Sequence, residues 1–90
     1  MVDVTVAPMF LGGGAAPRTL KVGARTMGRV IEEIEGRHPG FRDAVTTELG
    51  TLRPHIGIYV NGERVNAPNL AELRLRDDDR VHVLPSVSGG

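Results

Sequence analysis

The stretch Ile56-Gly57-Ile58-Tyr59-Val60-Asn61-Gly62-Glu63-Arg64-Val65 decides the fold. Ile56, Ile58 and Val60 alternate with Gly57 and Tyr59, the two-residue period of a strand with one buried face. Asn61-Gly62 follows with two residue types that tolerate positive φ, as a tight hairpin turn requires, and Glu63-Arg64-Val65 returns beside the first strand. Downstream, Pro68 precedes a stretch from Leu70 to Leu75 that is expected to form a helical turn burying Leu70 and Leu73. Asp77-Asp78-Asp79 makes a further turn. Val81, Val83 and Pro85 then alternate with Arg80, His82 and Leu84 in a last strand.

Upstream, Val2, Val4 and Val6 alternate with Asp3 and Thr5 as a first strand that Pro8 ends. Gly12-Gly13-Gly14 and Pro17 form a connection to a second strand carrying Leu20 and Val22. The glycines do not make a phosphate loop, because no Lys-Ser/Thr follows and they lead into Pro17 rather than a helix. Thr26 can cap a helix whose apolar residues Met27, Val30, Ile31 and Ile34 fall on one stripe of period 3.6, with Gly36 and Pro39 at its end. Phe41, Val45 and Leu49 predict a second short helical segment before Gly50. The order is strand, strand, helix, strand, short strand, strand. It predicts an α+β domain in which one main helix covers one face of a mixed sheet. The other face stays open, and alternation places Tyr59, His82 and Leu84 on it as candidate partner-binding residues.

With 90 residues there is room for one modest core and none for a substrate domain beside a cofactor domain, which argues against a whole enzyme. Eleven basic residues balance eleven acidic ones, so no cationic surplus points to nucleic acid. Met1 to Leu11 is interrupted by Asp3 and Pro8 and is too short for a membrane span or a secretory leader, which leads to the expectation of a cytoplasmic protein. Cysteine is absent, which excludes disulfides and thiolate nucleophiles. Lys21 is the single lysine, so it and the amino terminus are the only amines open to amide-forming modification.

Most polar clusters have plain readings. His38, His55 and His82 lack metal-ligand spacing, Asp77 to Asp79 lacks the alternating ligands and distant Glu of a calcium loop, and Glu32, Glu33 and Glu35 read as a solvated helix face. No metal site and no bound cofactor is expected. The informative segment is the end, Leu84-Pro85-Ser86-Val87-Ser88-Gly89-Gly90. A domain over 1–85 is expected to give way to a flexible tail over 86–90 whose small residues can thread a narrow channel. Gly90 would present its carboxylate, and Gly89 would allow passage; Pro85 and Val87 would lie where a partner grips the tail's base.

That tail, the run Ile58 to Val65, and Asp77-Asp78-Asp79-Arg80-Val81 together resemble the ThiS/MoaD family of sulfur carriers, nearest its CysO branch. The resemblance runs over essentially the whole chain. Asp78 departs from it, since the family often has glycine there, although Asp tolerates a left-handed turn better than most residues. The resemblance implies a ubiquitin-like β-grasp fold and a carrier that is no enzyme itself. It implies that a ThiF/MoeB-type activating enzyme uses ATP to adenylate Gly90, and that sulfide or a persulfide then yields a C-terminal thiocarboxylate. Implied partners are that enzyme, a sulfur-accepting synthase for cysteine or a thio-metabolite, and a metalloprotease that processes the tail. The alternatives are the small subunit of molybdopterin synthase and a ubiquitin-like protein modifier.

Overall fold

The computed structural model describes residues 1–66 and 68–86. The alternation of the first valines produces strand β1, Val2–Val6, in which Val2, Val4 and Val6 are fully buried while Asp3 and Thr5 are only partly covered. Pro8 starts a 3-10 turn, Pro8–Phe10, and the chain returns as β2, Arg18–Val22, antiparallel to β1 with Val2 opposite Val22. Helix α1, Met27–Arg37, begins where Thr26 Oγ1 accepts the Arg29 N–H at 3.3 Å. Its stripe of Met27, Val30, Ile31 and Ile34 is buried, as the period of 3.6 requires.

A five-residue helix α2, Phe41–Val45, follows. Its start is held by α1: Glu35 accepts the N–H groups of Arg42 at 2.8 Å and Gly40 at 3.1 Å. Those two bonds, Arg42 first, hold the Glu35 carboxyl below its ordinary pKa. The helix stops before Leu49, contrary to expectation. Thr46 leaves the helical conformation and its hydroxyl turns back to the Arg42 carbonyl at 2.7 Å, a local bond that competes with helix continuation. Thr47 and Thr51 then close a loop with Leu49 at its tip, 89% exposed, and Leu52 packs against the core instead.

Strand β3, Ile56–Val60, and the two-residue β4, Glu63–Arg64, form the expected hairpin, with Asn61 at φ 53° and Gly62 at φ 86°. The stretch after Pro68 differs from its expectation. Only Leu70–Glu72 is helical, as a 3-10 turn. Residues 73–75 run extended against the start of α1, where Met27 N–H donates to the Leu73 carbonyl and Leu75 N–H to the Arg25 carbonyl, both at 2.8 Å. This pairing turns Leu75 into the core, 5% exposed, and leaves Leu73 only partly covered. Gly28 permits the close approach, since a Cβ there would stand 2.9 Å from both Cβ and the carbonyl oxygen of Ala71.

The last strand, β5, Arg80–Pro85, completes a sheet of order β2-β1-β5-β3-β4. It runs parallel to β1 and antiparallel to β3. The core lies between α1 and the face bearing Val2, Val4, Val6, Ile58, Val81 and Val83, all fully buried. Asp78 adopts φ 72°, the left-handed turn that an aspartate accommodates.

Candidate functional site

The site is assembled on β5, the middle strand, because the pairing partners on both sides bring their outward residues into register with its own. Tyr59 stands opposite His82, His82 opposite Thr5, and Tyr59 also opposite Arg64. These side chains therefore share one row on the face away from α1. One pleat along, Leu84 stands opposite Gly57. One pleat the other way, Asp3 lies between Arg80 and Lys21. Tyr59, His82 and Leu84 thus occupy the open face that alternation assigned to them, each partly covered.

Gly57 explains how an aromatic lies down on this face. A Cβ at Gly57 would meet Tyr59 Cε1 at 2.9 Å, so the ring rests on the bare glycine backbone, on the Leu84 side of its own strand position. Leu84 packs at the margin of the core and keeps its register with Gly57. Pro85 is exposed and belongs, by alternation, to the opposite side of the strand from Leu84. It does not join the row of Tyr59 and His82.

The end of β5 has one more tie. Pro85 has no N–H to give, and the next donor, Ser86 N–H, bonds to the His55 carbonyl at 2.6 Å. His55 sits at φ 72° directly before β3. Pairing with the β3 side therefore extends through Ser86, the first residue assigned to the tail. Val87, Gly89 and Gly90 lie outside the described residues.

Polar groups at the other end of β5 set its entry. Asp79 accepts the Arg76 N–H at 2.7 Å and the Asn61 side-chain amide at 3.0 Å, and these bonds, in that order, hold its carboxyl below the ordinary pKa. Lys21 Nζ lies 3.3 Å from Asp3 Oδ1 on the open face. Among the described residues no group of three His, Cys, Asp or Glu side chains could hold a metal ion, and no helix is long and apolar enough to cross a membrane. Sequence reasoning missed Gly57, Arg64, Arg80 and the His55–Ser86 bond. The alternation that picked out His82 also pointed Arg80 outward, whereas the bond between His55 and Ser86 has no sequence signal.

The architecture and the central last strand define a ubiquitin-like β-grasp protein. The ThiS family model matches residues 15–90, and the chain belongs to the ThiS family. The sulfur carrier protein CysO of Mycobacterium tuberculosis is 26% identical over 91 residues, spanning 99% of this chain and 98% of that protein. Its crystal structure has a TM-score of 0.80 and covers 97% of this chain and 100% of its own. A chain in the crystal structure of the Amycolatopsis orientalis BexX/CysO complex is 28% identical with a TM-score of 0.79, covering both chains completely. Small archaeal modifier protein 1 of Haloferax volcanii is 34% identical over 79 residues, 84% of this chain and 86% of that protein.

Proposed function

We propose that this chain is a sulfur carrier whose working group is the Gly90 carboxylate. The observation that carries the reading is the end-to-end likeness to CysO carriers in both sequence and fold. The chain acts as a co-substrate rather than a catalyst. A carboxylate is a poor electrophile, so a ThiF/MoeB-type activating enzyme supplies ATP: a Gly90 carboxylate oxygen attacks the α-phosphorus and pyrophosphate departs. Sulfide or a persulfide sulfur then attacks the acyl carbon of the adenylate and the bond to the AMP oxygen breaks; with sulfide a thiocarboxylate remains directly. A persulfide donor gives an acyl disulfide first; a thiol then attacks the donor's sulfur, the S–S bond to the acyl sulfur breaks, a new disulfide forms and the thiocarboxylate is released. No cysteine in the chain competes for the activated acyl group. A synthase then takes the sulfur into cysteine or a thio-metabolite. The ATP requirement is consistent with a cytoplasmic protein, and a metalloprotease trims any residues that follow the glycine pair.

Docking of the activating enzyme falls to the open face, with Tyr59, His82 and Leu84 beside the root of the tail. Intact-mass measurement after incubation with that enzyme, ATP and sulfide tests the reading. One oxygen-for-sulfur exchange is expected, abolished by deleting Gly90. Sulfur retained on the shortened chain overturns it. The likeness to a small archaeal modifier is consistent with a second reading, amide transfer of Gly90 to a target lysine. A target adduct in the same experiment, in place of the sulfur exchange, supports that one.

A further inference from the structure

The open face is unbalanced in charge. Among the described strand residues Lys21, Arg64 and Arg80 stand on it with Asp3 as the one carboxylate, in a chain whose formal charge is zero. Asp3 is engaged by Lys21 at 3.3 Å. Among the described residues Arg64 and Arg80 have no carboxylate within ion-pair reach, and both are exposed. In the strand register the two arginines flank Tyr59, Arg64 directly opposite it and Arg80 diagonal to it across β5. Arg64 shares the row of Tyr59 on the sheet's edge, and Arg80 lies at the far end of β5 from Leu84, about 13 Å along the strand.

We propose that this face docks a protein surface that presents carboxylates to Arg64 and Arg80 around an apolar contact for Tyr59 and Leu84. The inference rests on the reading that an activating enzyme grips this face, and it specifies the chemistry of that enzyme's surface. Guanidinium forks match carboxylates bidentately, and their placement at the rim accelerates encounter with an acidic partner. A second copy of this chain is a poor occupant, because a two-fold contact would set like cationic faces against each other. Nucleic acid is disfavoured too. Asp3 interrupts the cation stripe, and the apolar margin at Leu84 offers no hydrogen bond to phosphate.

Titration of the full chain against the ThiF/MoeB-type enzyme of the same organism, at low and high ionic strength, tests this. R64Q and R80Q are each expected to weaken binding on the order of tenfold at low salt, with the difference fading as salt rises. R64E/R80E weakens it further, while R29Q on the helix side binds as the unaltered chain does. Retained far-ultraviolet circular dichroism confirms that each variant is folded. Unchanged affinity of R64E/R80E at low salt overturns the inference. So does binding of a single-stranded oligonucleotide that R64E/R80E abolishes without affecting enzyme affinity. ATP–pyrophosphate exchange separates the two levels of the argument. If the unaltered chain is not adenylated, the tail reading fails. If R64E/R80E is adenylated with unchanged half-saturation, only the present inference fails.

Discussion

Asn61 Nδ2 donates to Asp79 Oδ1 at 3.0 Å, while Asn61 Oδ1 accepts the N–H of Arg80 at 2.9 Å. The β3–β4 hairpin turn and the turn into β5 are therefore one hydrogen-bonded unit. It sets the register in which Tyr59 faces His82 and Val60 faces Val81.

The unit predicts acid sensitivity. Asp79 and Glu35 both have carboxyls held below their ordinary range in the fold. Their stabilisation is present above the unfolded carboxylate pKa, about 4, and is lost as pH falls through that value and below it. Urea midpoints should be level near neutral pH and decline in acid. Asp79→Asn should be less stable at neutral pH and show a shallower decline. Parallel acid limbs in the two proteins would show that the Asp79 charge contributes nothing.

Two glycines of α1 should respond oppositely to the same change. Gly28→Ala places a methyl 2.9 Å from the Ala71 backbone oxygen, and overpacking of this kind costs about 1–3 kcal/mol despite alanine's better helix propensity. Gly36→Ala meets nothing within 4 Å and should gain roughly 0.5–1 kcal/mol. Thermal unfolding of both variants decides, and a rise in Tm for Gly28→Ala would contradict the close approach of helix and turn.

Tyr59 is the chain's only tyrosine and there is no tryptophan, so aromatic near-ultraviolet signals other than phenylalanine report this one ring. Gly57→Ala should lift the ring off the sheet and change its circular dichroism and fluorescence. Affinity for the activating enzyme should fall with it. An unchanged tyrosine signal would mean that the ring does not rest on Gly57 in solution.

Gly89→Val tests the tail. Stability should move by no more than the ~0.5 kcal/mol typical of uninvolved positions, while adenylation drops because a branched side chain obstructs a narrow channel. Melting temperature and ATP–pyrophosphate exchange, measured on the same sample, check both halves. A large fall in melting temperature would show that position 89 contributes to the folded body.

Residue pattern by itself determined the strands, the main helix and the outward set of Tyr59, His82 and Leu84. Local alternation and a period of 3.6 are properties of the chain that burial merely reads out. Family likeness, carried by the tail and the Asn-Gly hairpin, was legible for the same reason, since those motifs are contiguous. Tertiary structure decided what contiguous pattern cannot express. Leu75 displaced Leu73 from the core because a backbone pairing with residues 25–27 imposed an extended segment where apolar spacing suggested a helix. Leu49 went to solvent because the Thr46 and Thr47 hydroxyls bond local backbone groups where the helix would have continued. The resting place of Tyr59 on Gly57 and the flanking of Tyr59 by Arg64 and Arg80 needed the register of three strands. That register is set by pairings between residues far apart in the chain, which no local period encodes.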